Sequence, residues 1–159
     1  MTGRVGELYA AARSDSALLK VALHVEEVAA HAYAAAAEDG PLAGDDWAAR
    51  FAEHEREHAA AIETMLFALT VPVREHAGPG DVDALVPGLR GGSRRDALRA
   101  LAALEGAAIA GHQLIGRRLA ELDALRTVAV VMAGGAQHLV VLRHELGNTT
   151  LTRTYETGS

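Results

Sequence analysis

The stretch that most restricts how this chain can fold runs from about residue 70 to residue 92. Three of the four prolines lie there with five glycines, and the pattern of a helix is lost. On either side the pattern is strong. Residues 16–38, 46–69, 93–119 and 123–146 contain no proline, and their apolar residues recur at three- and four-residue steps. That is the period of a helix that buries one face. Four long helices are therefore predicted over these ranges, with a short amphipathic piece at 4–12 before them. Ser14, Asp15 and Ser16 offer N-cap side chains to the first helix. Ser93 and Asp96 have capping-box spacing at the third. Gly147 is placed to end the fourth.

The lengths of the connections choose the topology. The first is short and the third very short, so each pair of helices is expected to form an antiparallel hairpin. The middle link, over twenty residues with little helical character, is long for a compact domain. It can run the length of the helices and set the third parallel to the second. The expected fold class is all-α: a four-helix bundle of two antiparallel hairpins joined by one long crossover. A single domain is expected over 1–147, followed by a polar tail at 148–159.

Composition agrees. Half the residues are hydrophobic but only 4% are aromatic, so the core must be built from Ala, Leu and Val. Alanine is the strongest helix former. A net charge of −6 argues against nucleic acid or an anionic membrane surface as partner. The absence of cysteine excludes disulfides, thiolate catalysis and zinc–sulfur sites. No apolar signal core opens the chain and no uninterrupted apolar run of 18 residues occurs. No spanning helix is expected, and the location expected is the cytoplasm. One lysine against fourteen arginines fits a GC-rich bacterial genome.

An internal repeat carries the chemistry. Glu26 on the first helix corresponds to Glu105 on the third, 79 residues on, and Tyr33 corresponds to His112 at the same offset. "EREH" on the second helix holds Glu55 and His58; 80 residues on, "GAQH" on the fourth holds Gly135 and His138. Residues three or four apart share a helix face. Glu26 stands on a stripe with Leu19, Ala22, Leu23 and Ala30, and Glu105 with Leu98, Leu101, Ala102 and Ala108. A carboxylate in an apolar stripe is costly to bury unless it is paired or binds metal.

Each of these residues has a plainer reading beside it. Glu27 rivals Glu26 for the inward position, but it shares a face with His24 and His31 and reads as part of a solvated stripe. "EHEREH" by itself reads as an exposed charged face; the repeat is what turns Glu55 and His58 inward. His54, one turn before His58, is either an exposed histidine or a hydrogen-bond partner of a metal ligand. His138 reads otherwise as a buried, hydrogen-bonded histidine. Tyr33 and His112 read as core residues with a polar tip, and His112 also as an extra ligand. Glu145 lies two turns past His138, about 10 Å by helix rise, too far to join the group.

Carboxylates and imidazoles suit iron or manganese. One Glu from each of two helices and a Glu-x-x-His from each of the other two build a di-iron or di-manganese site. The candidate metal ligands are Glu26, Glu55, His58, Glu105 and His138, with Tyr33, His54 and His112 around them. In these motifs the chain resembles the ferritin-like superfamily, especially bacterial ferritin-like domain proteins. The resemblance runs over about 16–147 and rests on "ALHVEEVAAHAY", "EREHAAAIETML", "LEGAAIAGH" and "GAQHLVVLR". It implies a di-iron carboxylate bundle with oxygen- or peroxide-linked redox chemistry or iron handling.

The departure from that family is at Gly135, where the resemblance implies a glutamate. Gly134 and Gly135 stand side by side in a helix interior, where each glycine costs about 1 kcal/mol relative to alanine. A site without that carboxylate keeps an open position for water, a small molecule or a substrate carboxylate. The alternative is a non-enzymatic ferritin-fold binding or structural protein with a degenerate, mononuclear or empty site. A hemerythrin-like site fits the eight histidines by count but not by spacing. A storage cage is disfavoured because no fifth helix follows the fourth. A homodimer through a helix face is the prior expectation for an Ala-rich bundle.

Overall fold

A computed structural model of the protein describes residues 2–38 and 40–147. The polar tail expected at 148–159 lies outside the described residues. Among the described residues there are six helices and no strand. They are α1 (Thr2–Ala11), α2 (Asp15–Ala37), α3 (Asp46–Ala68), α4 (Pro79–Leu85), α5 (Arg94–Gly116) and α6 (Leu122–Glu145).

The helix ends follow local chemistry. The Ser14 hydroxyl accepts from the Ala17 N–H at 3.2 Å, opening α2. Ser93 and Asp96 cap α5 reciprocally: Ser93 Oγ accepts from the Asp96 N–H at 3.3 Å, and Asp96 Oδ2 from the Ser93 N–H at 3.1 Å. α5 stops at Gly116, short of the expected residue 119, because the Arg117 and Arg118 amides close the last turn on Gln113 and Ile115.

The long crossover is not as bare of helix as its composition suggests. It contains α4. Pro79 sits in the first turn, where no N–H is needed. Asp81 Oδ2 accepts from the Gly78 N–H at 2.8 Å. Val82 and Leu85 are buried, and α4 lies against α2. Glu27 and His31 hold the preceding strap instead of forming a solvated stripe. Glu27 Oε2 accepts from the Ala77 N–H at 2.7 Å, and His31 Nε2 lies 3.1 Å from the Ala77 carbonyl oxygen. Glu27 also pairs with His76 at 2.5 Å.

α2 packs on α3 and α5, and α6 packs on α5 and α3. α1 lies against α5 and α2. The core between them is aliphatic: Leu19, Leu23, Ile62, Leu66, Leu98, Leu101 and Leu142 are all buried. Arg94 ties three helix ends together, reaching Asp45 at 3.2 Å and Glu145 at 2.6 Å. The start of α3, the start of α5 and the end of α6 therefore share one end of the molecule. At the other end, Arg118 donates to the Ala12 carbonyl at 3.1 Å, and Asp15 accepts from the Ala120 N–H at 3.4 Å. Among the described residues α6 alone is long and apolar enough to cross a membrane by length and composition, with a mean hydropathy of 1.5. One third of that stretch is buried; Val128, Val131, Leu139 and Leu142 of α6 are buried, while Leu122, Val130 and Val140 are exposed.

Candidate metal centre

Five polar or charged side chains are buried among the described residues: Glu26, Glu55, Glu105, His112 and His138, each at most 3% exposed. They come from all four long helices. His58 joins them from α3 with its side chain 15% exposed. The helical period sets this convergence, since Glu55 and His58 project from one turn of α3 and His138 from the facing turn of α6.

Two groups result. His58 Nδ1 lies 3.2 Å from Glu26 Oε2 and 3.0 Å from Glu55 Oε2. His138 Nδ1 lies 2.7 Å from Glu55 Oε1 and 3.1 Å from Glu105 Oε1. Within each of Glu26–Glu55–His58 and Glu55–Glu105–His138, one ligand atom per residue lies within 4.8 Å of the others. Glu55 belongs to both and turns one oxygen to each. Two atoms bound at right angles to one ion at about 2.1 Å lie about 3 Å apart. The observed spacings are on that scale, and the donor set of carboxylates and imidazoles suits iron or manganese. The residues therefore fit a metal.

The internal repeat reappears as a crossed pairing. The residue seven positions after each helix glutamate reaches the other helix's glutamate. Tyr33 donates to Glu105 Oε1 at 2.7 Å, and His112 Nε2 lies 3.3 Å from Glu26 Oε1. His54 does not serve His58, its neighbour along α3. Its Nδ1 lies 3.2 Å from His138 Nε2, on the side of that ring away from the carboxylates.

No pattern in the sequence marks Phe51 or Tyr9 as part of this centre. The Phe51 ring stacks on His138 with centroids 3.9 Å apart, one turn before Glu55 on the same face of α3. Tyr9 of α1 is buried edge-on to His112, with centroids 6.4 Å apart. Its ring fills a notch at Gly111, where any Cβ would collide with it. Gly111, one of three glycines in α5, is the signal available in the sequence.

The paired glycines of α6 have the same kind of cause. A Cβ at Gly134 would stand 2.5 Å from His58 Cε1 and Nε2. A Cβ at Gly135 would stand 3.0 Å from Glu105 Oε2 and 3.7 Å from Ile109. Gly134 thus leaves room for the imidazole, and Gly135 for the carboxylate.

Protons balance the charge of this cluster. Burial, then the charge and hydrogen bond of Glu55, raise the Glu26 carboxyl well above its usual range. Burial and the charge of Glu55 push Glu105 up to about 7, against the pull of His138. Burial would raise Glu55 also, but hydrogen bonds with His138, His58 and Glu26 outweigh it and hold this carboxylate ionised. Burial would lower His138, yet its bonds to Glu105 and Glu55 push it up to about 9. Burial pulls His112 down to about 4, so it is neutral. The ionised Glu55 therefore biases Glu26, Glu105 and His138 toward holding protons, and metal ligands must give up such protons on binding.

No curated protein and no solved structure is significantly similar to this chain. The ferritin-like domain matches residues 14–148, which takes in α2 to α6 and every candidate ligand, and the chain belongs to that family.

Proposed function

We propose that the protein is a four-helix bundle of two antiparallel hairpins that holds two iron or manganese ions between them. The ties made by Arg94 and Arg118 at opposite ends support that topology. The observation that carries the metal reading is the position of Glu55, with one oxygen in each of two three-residue groups. Glu26 and His58 would hold one ion, Glu105 and His138 the other, with Glu55 between. Two such ions supply one-electron chemistry toward oxygen or peroxide, or take part in iron handling. The chain's own residues do the rest. Tyr33 fixes Glu105, His54 orients His138 through its outer nitrogen, and Phe51 covers the His138 ring against water.

Gly135 favours a second reading, in which one position is incomplete and the protein binds a single ion or none. A water or a small carboxylate would fill the gap in the first reading. Metal analysis of untagged protein, before and after anaerobic Fe(II) addition, separates them. Two ions per chain support the first reading, one supports a mononuclear binding protein, and none rejects metal binding. Glu105→Ala and His138→Ala should each abolish the second ion; unchanged stoichiometry rejects these residues as ligands.

A further inference from the structure

Among the described residues two buried side-chain polar atoms have no hydrogen-bond partner, Tyr9 Oη and His112 Nε2. They belong to neighbouring rings at one corner of the cluster. A buried polar atom left unpaired is costly, and folded proteins leave few of them. His112 Nε2 lies 3.3 Å from Glu26 Oε1 without making a hydrogen bond to it. Its counterpart in the repeat, Tyr33, makes a proper bond to Glu105 at 2.7 Å. The two positions thus differ in chemistry as well as in residue. A tyrosine tip can donate to a carboxylate already bound to a metal. A neutral imidazole has in addition an in-plane lone pair, the usual donor to a transition metal.

We propose that His112 Nε2 is itself a metal ligand, completing the Glu26–Glu55–His58 group with a second imidazole. The proposal rests on the metal-binding reading above and adds an asymmetry to it. The ion beside Glu26 has two carboxylates and two imidazoles from the protein. The ion beside Glu105 has two carboxylates and one imidazole, and faces Gly135. The first is the tighter site, and the second keeps the open position. α1 lies outside the matched family residues, and its Tyr9, seated in the Gly111 notch, walls His112 off from water.

The test uses the full chain with ¹⁵N-labelled histidine, titrated with Zn(II), a redox-silent ion that accepts the same donors. Long-range ¹H–¹⁵N spectra follow each ring nitrogen, assigned through the backbone. Nδ1 of His58 and of His138, and Nε2 of His112, should all move to metal-bound shifts at saturation. If the first two move while His112 Nε2 does not, or His112 Nε2 keeps a proton donated to Glu26, His112 is no ligand and the metal reading stands. If none of the three responds, both proposals fail. As a second measurement, His112→Phe keeps an aromatic ring in the space. It should weaken the tighter of two Zn(II) sites at least tenfold, the scale of losing even an outer partner, and unchanged affinity would overturn the proposal.

Discussion

Replacing each of the two α6 glycines by alanine should have opposite effects, although the residues are neighbours. Helix propensity favours both changes by about 1 kcal/mol. At Gly135 little opposes that gain. The new Cβ meets Glu105 Oε2 at 3.0 Å, the far end of a flexible side chain that can give by a few tenths of an ångström. At Gly134 the Cβ would lie 2.5 Å from two atoms of the His58 ring, and the ring must leave. It then loses its contacts at 3.2 Å to Glu26 and 3.0 Å to Glu55. Both start from the one atom Nδ1, so together they amount to one charge-assisted hydrogen bond, to the ionised Glu55, worth about 1.5–3 kcal/mol. Water returns part of this, because the His58 side chain is 15% exposed. Set against the propensity gain, the net loss is about 1–2 kcal/mol. For a chain of this size 1 kcal/mol moves the melting temperature by about 2–4 °C. Gly135→Ala should therefore melt unchanged or about 2–4 °C higher, and Gly134→Ala roughly 2–8 °C lower. Thermal unfolding of the metal-free variants by circular dichroism measures both. If Gly134→Ala is as stable as Gly135→Ala, the close approach of His58 to α6 is wrong.

Four further outcomes follow from the same geometry. Between pH 6.5 and 9 the folded metal-free protein keeps a proton on His138 that the unfolded chain has lost. Its stability should fall across that window by up to about 1.4 kcal/mol per pH unit for each such proton, as read by urea unfolding; a flat profile refutes the charge balance. Metal loading at pH 7 should correspondingly release protons, seen as a buffer-dependent heat in calorimetry, and no such dependence would count against the same balance. Tyr33→Phe removes the donor to Glu105 at 2.7 Å and should cost about 1–3 kcal/mol in the metal-free protein, with a weaker second ion; unaltered melting and affinity would refute the role. Gly135→Glu should lower the metal-free melting temperature, because it adds a carboxylate beside Glu105, and raise metal occupancy; destabilisation without gain in occupancy rejects the site.

The sequence made some of this legible and hid the rest for physical reasons. Glu105 and His138 stand out because each is nearly alone on an apolar face, where burial of charge demands an explanation. Glu55 and His58 do not stand out, since "EHEREH" looks like a solvated face; only the repeat offset turns them inward. Contacts between distant segments leave no periodic trace. Glu27 and His31 find their partner in the crossover backbone at Ala77, Tyr9 reaches His112 from a helix before the matched domain, and α4 is too short for its period to show. The glycines of α6 are the most instructive case. Read along the chain, Gly135 is a missing carboxylate. Read across the helices, it is the space into which Glu105 Oε2 fits, 3.0 Å from where a Cβ would be. A side chain at 135 would press on the present seat of Glu105 by a few tenths of an ångström, so the carboxylate must shift slightly to admit one. The consequence is electrostatic. On the two-ion reading, the ions would bring four positive charges, while Glu26, Glu55 and Glu105 would supply three negative ones. The protein's own donors would then leave such a centre one positive charge in excess, in a buried site where such an excess is costly. That excess is what a hydroxide or a small carboxylate in the gap beside Gly135 would neutralise.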